Sequence, residues 1–223
     1  MNGKLVVLEG LSAAGKHTQA KLLQQSLEKA GKKAALFSFP DYDSPVGQLI
    51  AEYLAGKWGK KEDLVQTAVI LYALDRYQNA AKIRTALSEN DVVILDRYSP
   101  ANYAFQGALM KNEKQKQQLW GWIDQVEHGL PQADAVIFLD VPRNVTQQNY
   151  ARRDVKNHLS KKGEQKDIHE SDAAFEDRVH DNYLELSKAR GWAIVYCVEN
   201  SALLPAEKIH LRVLDALKAQ RIA

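Results

Sequence analysis

Cysteine is nearly absent from the chain, since Cys197 is the single one among 223 residues, and this excludes an internal disulfide. Cys197 lies in the apolar run Ala193–Val198, so we expect it to fill space in the core rather than to react. No run approaches about 18 apolar residues, and the first residues lead into a predicted strand without a signal-like apolar stretch. We therefore expect no membrane span, no secretory signal and a place in the reducing cytoplasm.

Net charge is also low. Lys and Arg total 30 against 28 for Asp and Glu, which leaves a formal net charge of +2. Without a strong field of one sign, neither nucleic acid nor an anionic membrane is expected as a partner. The hydrophobic share of 45% and the charged share of 26% are ordinary for a globular protein. Length and composition together predict a single domain over residues 1–223.

Five short apolar runs recur along the chain, each followed by a segment with helical periodicity. They are Leu5–Leu8, Ala34–Phe39, Val92–Leu95, Ala135–Leu139 and Ala193–Val198. Their hydrophobicity is continuous rather than alternating, which is typical of strands that are buried on both faces. The pattern predicts a three-layer α/β/α fold around a five-stranded parallel sheet with right-handed crossovers.

The segments between these runs predict helices and loops. Helices are expected over about 15–30, 46–54, 62–88, 101–110, 113–128 and 173–189, and from about 205 onward. The segment 56–61 is expected to be an exposed loop. The charged stretch 152–172 is too polar to bury a core and predicts a lid or a solvated loop. Arg152 and Arg153 within it would either close on a transferred phosphate or form part of a solvated face.

The stretch Gly10–Thr18, GLSAAGKHT, has the spacing of a phosphate-binding P-loop, because four residues separate Gly10 from the Gly15-Lys16 pair. Small residues let backbone N–H groups curl around an anion, and the helix that starts near Gly15 directs its positive end at that anion. Lys16 adds a full charge for the outer phosphates. His17 stands where the motif expects Ser or Thr to hold magnesium.

Polar residues near the predicted sheet edge have two interpretations each. Asp96 either organises Mg²⁺ through its water shell or caps a helix, and Arg97 either forks onto a phosphate or forms a strand-end salt bridge. Tyr72 and Arg76 lie four residues apart and so share one helix face. They either stack on and bind a nucleobase, or combine core packing with a surface charge. Spacing alone favours the second interpretation of this pair.

Together these motifs resemble those of the thymidylate kinase family along nearly the whole chain. They are EGLSAAGKHTQ, FPDYDSPVGQLI, LYALDRY, LDRYSPANYAFQGA, VIFLDVP and KDIHESD. The first is shared by all P-loop proteins, whereas FP…SP-x-G combined with DRY…QG is much more specific. The resemblance implies a nucleoside-monophosphate-kinase fold, ATP and Mg²⁺ for the reaction, dTMP as the phosphoryl acceptor and commonly a homodimer.

The resemblance also implies roles for single residues, with Tyr72 stacking on thymine and Arg76 reaching the base. The implied catalytic residues are Lys16, Asp96, Arg97 and Arg153, with Asp96 as the metal-organising carboxylate. The implied ATP-binding residues are Gly10, Ser12, Ala13, Ala14, Gly15, Lys16, His17, Thr18 and Arg152. The implied dTMP-binding residues are Ser12, Phe39, Pro40, Tyr72, Arg76, Arg97, Asn102 and Gln106.

Three positions depart from the family pattern. Ser12 stands where many members carry an acid for the sugar 3′-hydroxyl, Tyr42 where many carry an arginine, and His17 where a hydroxyl is usual. We expect His17 to stay out of the magnesium shell, either beside a water that fills the position or packed against the sheet.

Two other functions remain open from the sequence. One is a deoxynucleoside kinase, in which Asp41 would act as the base on a 5′-hydroxyl. The other is a catalytically silent nucleotide-binding protein, which the departures at Ser12 and His17 make conceivable. Phosphorylation of dTMP itself needs no strong base, because its phosphate is already deprotonated at neutral pH.

Overall fold

The fold is built on a parallel five-stranded sheet. The computed structural model describes residues 3–147 and 172–222. The strands are β1 Lys4–Glu9, β2 Ala34–Ser38, β3 Val92–Asp96, β4 Ala135–Asp140 and β5 Ala193–Tyr196. They lie in the order β2-β3-β1-β4-β5, and Val6 of β1 pairs with Ile94 of β3 and Ala135 of β4. The five apolar runs of the sequence are therefore confirmed as the strands of one sheet.

The helices begin and end within a few residues of their predicted bounds. They are α1 Lys16–Lys29, α2 Pro45–Leu54, α3 Val65–Glu89, α4 Ser99–Gly107, α5 Glu113–Val126, α6 Ala173–Arg190 and α7 Ala206–Ala219. Local chemistry sets several of these ends. The Ser44 side chain accepts a hydrogen bond from the Gly47 N–H and so caps α2. Asp172 caps α6 in the same way, and Gly191 ends it in the left-handed conformation.

Helices cover both faces of the sheet and bury its strands. One cluster joins the sheet to α1 and α7, and it contains Val6, Leu8, Ile94, Ile137, Leu23, Leu27 and Val213. Another joins the opposite face to α3, and it contains Leu5, Val7, Val93, Leu95, Ile83 and Leu87. Alternate residues of β1 thus point into different layers, although both sets are apolar. This is the predicted α/β/α arrangement. None of the described helices is both long and apolar enough to cross a membrane.

The prediction of an exposed loop over 56–61 is wrong for its last residue, Lys61. Lys61 is only 6% exposed and begins a short 3₁₀ turn, Lys61–Asp63, so that α3 starts at Val65. Its Nζ lies 3.0 Å from Asp172 Oδ2 and 4.1 Å from the centre of the Phe175 ring. A carboxylate and an aromatic face at the start of α6 therefore make burial of this ammonium group favourable.

The last predicted strand is shorter than its apolar run. It ends at Tyr196, and the chain then forms a two-stranded antiparallel hairpin, β6 Val198–Glu199 with β7 Ala202–Leu203. Between them Asn200 and Ser201 adopt positive φ angles of 49° and 60°. Cys197 is fully buried, as predicted, and burial raises the pKa of its thiol to about 12. A thiol of this kind stays protonated and unreactive at neutral pH.

Two glycines give a matched test of this local structure. A Cβ on Gly47 would lie 1.9 Å from the Asp41 carbonyl oxygen and 2.6 Å from the Tyr42 Cα, whereas one on Gly121 of α5 would meet nothing within 4 Å. Gly47→Ala should lower the free energy of unfolding by about 1–3 kcal/mol through overpacking. Gly121→Ala should raise it by up to about 1 kcal/mol through helix propensity. Urea denaturation measures the free energy of unfolding of both variants. Equal effects of the two substitutions would contradict the close packing around Gly47.

Candidate active site

The P-loop connects β1 to α1 and turns sharply at both ends. Gly10 has a φ of 149°, and a Cβ there would lie 2.9 Å from the Leu139 carbonyl oxygen. Gly15 is left-handed at the N-cap of α1 and has no side chain with which to cap the helix. Lys16 is buried and its Nζ donates to the carbonyl oxygens of Gly10 and Leu11 at 3.2 and 2.9 Å. A loop, a helix N-terminus and an ammonium group thus converge, as anion binding requires.

The remaining residues of the predicted ATP site lie in the same loop and in the first turn of α1. Ala13 is left-handed at φ 58°, although it is not a glycine. Ala14 is buried, Ser12 is half-buried, and His17 and Thr18 are exposed. The structure therefore places all the predicted P-loop residues around one turn. Arg152 lies outside the described residues.

His17 contacts the carboxylate of Asp96, which the sequence did not predict. Its Nδ1 lies 3.2 Å from Asp96 Oδ2, and its side chain is 59% exposed. The expectation that His17 packs against the sheet is therefore wrong, because the imidazole turns outward along the edge where β3 ends. Asp96 is not a helix cap either, since α4 begins at Ser99 with Tyr98 as its N-cap residue.

The donor set at this edge fits Mg²⁺ bound mainly through a nucleotide. The described residues contain no group of three or more His, Cys, Asp or Glu side chains that would enclose a metal ion. Asp96, at the end of β3, supplies one carboxylate beside the P-loop. Mg²⁺ is commonly held by one or two carboxylates together with substrate phosphates and waters. The imidazole of His17 suits softer metals better.

Glu9, at the end of β1, is a functional residue that the sequence analysis missed. It is fully buried, and its Oε1 accepts from the Tyr98 N–H while its Oε2 accepts from the Tyr183 hydroxyl, both at 2.8 Å. Burial raises the pKa of Glu9, and the charges of Arg97 and Lys16 oppose that shift. The available signal was an acidic residue that ends an otherwise apolar strand directly before Gly10.

Arg97 lies between the P-loop and the neighbouring pocket. It has a φ of 70°, its Nη1 lies 3.3 Å from the Tyr183 hydroxyl, and its Nη2 donates to the Gly10 carbonyl oxygen at 3.2 Å. Its guanidinium lies 4.9 Å from the centre of the Phe105 ring. Burial by itself lowers the pKa of Arg97, but Tyr183, Glu9 and Asp96 together raise it. The guanidinium therefore keeps a permanent charge.

A pocket of about 580 Å³, counted with its open mouth, adjoins Arg97. The lining residues are Ser12, Phe39, Pro40, Tyr42, Leu54, Tyr72, Asp75, Arg76, Arg97, Ala101, Asn102, Phe105 and Gln106. The structure thus brings together all eight residues that the resemblance implied for the acceptor. Leu54, Asp75, Ala101 and Phe105 were missed, and Tyr42 had been noted only as a departure.

Buried polar groups form the inner wall of this pocket. Arg76 is 3% exposed, so the interpretation of it as a surface charge is wrong. Its Nη1 donates to Glu127 Oε1 at 2.5 Å, and Asn102 Nδ2 donates to the same oxygen at 2.7 Å. Asp75 is also buried, and burial raises the pKa of its carboxyl. Fixed polar groups beside the rings of Phe39 and Tyr72 suit a flat heterocycle.

Several polar atoms of this wall have no hydrogen-bond partner within residues 3–147 and 172–222. They are Arg76 Nε, Asn102 Oδ1, and Gln106 Nε2 and Oε1. Such atoms are costly when buried unless a ligand or water satisfies them. A molecule or water that reached these atoms would supply the missing hydrogen bonds.

The predicted lid lies almost entirely outside the described residues. Of 152–172 only Asp172 is described, and it caps α6 and pairs with Lys61. The roles of Arg152 and Arg153 therefore stay predictions.

Comparison with known proteins adds to this geometry. The family model for thymidylate kinase matches residues 8–209. The thymidylate kinases of Homo sapiens and Schizosaccharomyces pombe are 36% and 33% identical, each over 62% of this chain, and the chain spans about three fifths of the length of each. The thymidylate kinase of Mycobacterium tuberculosis is 32% identical over 84% of this chain and 87% of its own length.

A solved structure of thymidylate kinase from Candida albicans superposes with a TM-score of 0.73 at 25% identity. The superposition covers 99% of this chain and 93% of that one. The overall fold is therefore shared. The chain belongs to the thymidylate kinase family.

Proposed function

We propose that this protein transfers the terminal phosphoryl group of ATP to dTMP, giving ADP and dTDP. One observation carries the proposal: the pocket beside the P-loop collects the eight implied acceptor residues around donor and acceptor atoms that have no partner within the described chain. Thymine presents a carbonyl oxygen, O4, next to an N3–H donor. Arg76 Nε supplies a donor for O4, and Asn102 Oδ1 supplies an acceptor for N3–H, within the part of the chain that is described.

The two phosphate groups are proposed to meet between the P-loop and Arg97. Lys16 and the first turn of α1 would hold the ATP phosphates, while Asp96 would help to hold magnesium, which neutralises phosphate charge when bound. Arg97, which contacts the Tyr183 hydroxyl and the Gly10 carbonyl oxygen, would contact the acceptor phosphate. Positioning and charge compensation would carry most of the catalysis. Arg152 and Arg153 are proposed to complete the site from the lid.

The deoxynucleoside-kinase alternative is less well supported. It requires a carboxylate within hydrogen-bond reach of a 5′-hydroxyl. Asp41 is absent from the described residues that line the pocket, and its Oδ2 accepts from Asn79 Nδ2 at 3.3 Å. We also propose a cytoplasmic location, which fits the use of ATP and the single, buried cysteine, Cys197.

The function is tested by measuring ADP release with dTMP, dUMP, dCMP and thymidine as acceptors. We expect dTMP to give the highest kcat/KM. Turnover of thymidine but not of dTMP would favour the deoxynucleoside kinase. Nucleotide binding without any turnover would favour the catalytically silent protein.

The proposed base site predicts a selective effect of Tyr72→Ala. The Tyr72 ring lines the pocket, and the Arg76 guanidinium lies 6.0 Å from its centre. Loss of stacking worth about 1–3 kcal/mol should raise the KM for dTMP by about 5- to 150-fold and leave the KM for ATP unchanged. Tyr196→Ala, at an exposed tyrosine outside the pocket, is the control. A change in the KM for ATP instead would mean that the two nucleotides had been assigned to the wrong pockets.

Substitution of His17 tests the proposed metal site. Replacing His17 with serine provides the hydroxyl oxygen that Mg²⁺ prefers. The same substitution removes the imidazole that contacts Asp96 Oδ2. His17→Ser should therefore retain activity and lower the Mg²⁺ concentration for half-maximal rate by about fivefold, the equivalent of one hydrogen bond. Thr18→Ser is the control. A wild-type enzyme that is inert with Mg²⁺ but active with Mn²⁺ would contradict the magnesium assignment.

We further propose that the protein is a homodimer that uses the outer face of α3. Ile70, Leu74 and Tyr77 lie at positions i, i+4 and i+7, and each is at least 39% exposed. Leu49 of α2, the helix that packs on α3, is exposed as well. An apolar stripe of this kind is typical of an association surface.

A charge introduced into this apolar stripe should dissociate the dimer. Leu74→Glu should convert the dimer to monomers in sedimentation velocity, because a carboxylate would be buried without a partner. Leu211→Glu, at an exposed leucine on α7, should leave the dimer intact. A wild-type protein that sediments as a monomer would exclude the proposed assembly.

A further inference from the structure

Glu127 lies directly behind the inner wall of the pocket, at the carboxyl end of α5. Its side chain is 3% exposed and accepts three hydrogen bonds, from Arg76 Nη1 at 2.5 Å, from Asn102 Nδ2 at 2.7 Å and from the Ser99 hydroxyl. Two of these donors belong to residues that line the pocket. A single carboxylate oxygen, Oε1, therefore holds both Arg76 and Asn102.

The contacts of Glu127 fix which end of the Asn102 amide faces the pocket. The amide nitrogen donates to Glu127 Oε1 and to the Val69 carbonyl oxygen at 3.1 Å, and both of these atoms accept only. The reversed amide would place its oxygen against two acceptors, which is repulsive and leaves both unsatisfied. Asn102 Oδ1 is thus the amide atom that is left for a ligand, and within the described chain it has no partner.

The same carboxylate also fixes Arg76. With Nη1 bound to Glu127, Arg76 Nε remains as a buried donor that has no partner among the described residues. A guanidinium that is 3% exposed requires a compensating negative charge, and Glu127 supplies it. The result is one donor and one acceptor, both held from behind by a group that does not line the pocket itself.

We propose that Glu127 is a positioning residue that determines base specificity by orienting the Asn102 amide and the Arg76 guanidinium. An acceptor beside a donor matches the N3–H and O4 of thymine or uracil. Cytosine presents the opposite pattern, because its N3 accepts and its N4 amino group donates. This inference rests on the proposed function, since it concerns how the acceptor base is chosen.

The test is Glu127→Gln, which keeps the size of the side chain and removes its charge. The neutral amide can turn its NH₂ group toward Asn102, so that the Asn102 amide is free to reverse. We expect the ratio of kcat/KM for dTMP to that for dCMP to fall about tenfold or more, with a higher KM for dTMP and an unchanged KM for ATP. An unchanged dTMP-to-dCMP ratio would overturn the inference.

Asp124→Asn is the matched control, because it makes the same chemical change one turn earlier on α5. Asp124 accepts from the Tyr103 hydroxyl at 2.7 Å and from Arg190 at 3.3 Å, and it does not line the acceptor pocket. Its substitution should leave the dTMP-to-dCMP ratio unchanged. A fall as large as that with Glu127→Gln would assign the effect to a general loss of charge or stability.

A double variant distinguishes action through Asn102 from a purely structural role. In an Asn102→Ala background, Glu127→Gln should cause little further change in the dTMP-to-dCMP ratio, because the amide that it orients is gone. Fully additive effects would overturn the proposal. If Glu127→Gln fails to fold, Ser99→Ala removes one hydrogen bond to Glu127 without removing charge. It should shift the ratio in the same direction by about two- to fivefold, and no shift would count against the proposal.

Different results would show that this inference is wrong and that the proposed function is wrong. If the wild-type protein phosphorylates no monophosphate, the proposed function is wrong. If the wild-type protein prefers dTMP and Glu127→Gln keeps that preference in full, the function stands and the role of Glu127 is wrong.

Discussion

A fully buried carboxylate, that of Glu9, joins the parts of the molecule on which both proposed phosphate sites depend. It ends β1, accepts the N–H of Tyr98 after β3 and accepts the hydroxyl of Tyr183 from α6. Arg97 then bridges Tyr183 to the carbonyl oxygen of Gly10. Burying a carboxylate is costly unless hydrogen bonds and positive charges compensate it. Because Glu9 needs all these partners, the P-loop, the segment after β3 and α6 are held in one geometry.

A second buried carboxylate, Glu127, holds other residues of the pocket. Glu9 holds Arg97 beside the P-loop through Tyr183, whereas Glu127 accepts hydrogen bonds from Arg76 and Asn102 at the inner wall. Each buried acid thus holds an arginine that lines the pocket. Two charged groups that are held in place suit a ligand that carries both a phosphate and a polar heterocycle. The proposed acceptor, dTMP, has this form.

The strands and the P-loop could be predicted from the sequence because their signals are local. A continuous apolar run predicts a buried strand, and the spacing of Gly10 and Lys16 fixes a loop by itself. The acceptor pocket was predicted only through its resemblance to a family, since the spacing of Tyr72 and Arg76 alone favoured ordinary packing.

The pairings between distant residues could not be predicted. Glu127 lies 51 positions from Arg76, Asp96 lies 79 positions from His17, and Asp172 lies 111 positions from Lys61. Periodicity places each residue on an element but does not say which charge it meets across the fold. For that reason neither the burial of Lys61 nor the contact of His17 with Asp96 could be predicted.

The identity of the molecule in the pocket is decided most directly by a crystal structure with dTMP and a non-hydrolysable ATP analogue. We expect the thymine ring against Tyr72, with its O4 near Arg76 Nε and its N3 near Asn102 Oδ1. The triphosphate should lie along the P-loop beside Lys16. Adenine against Tyr72, or thymine with its N3 turned away from Asn102, would contradict the assignment of the two nucleotide sites.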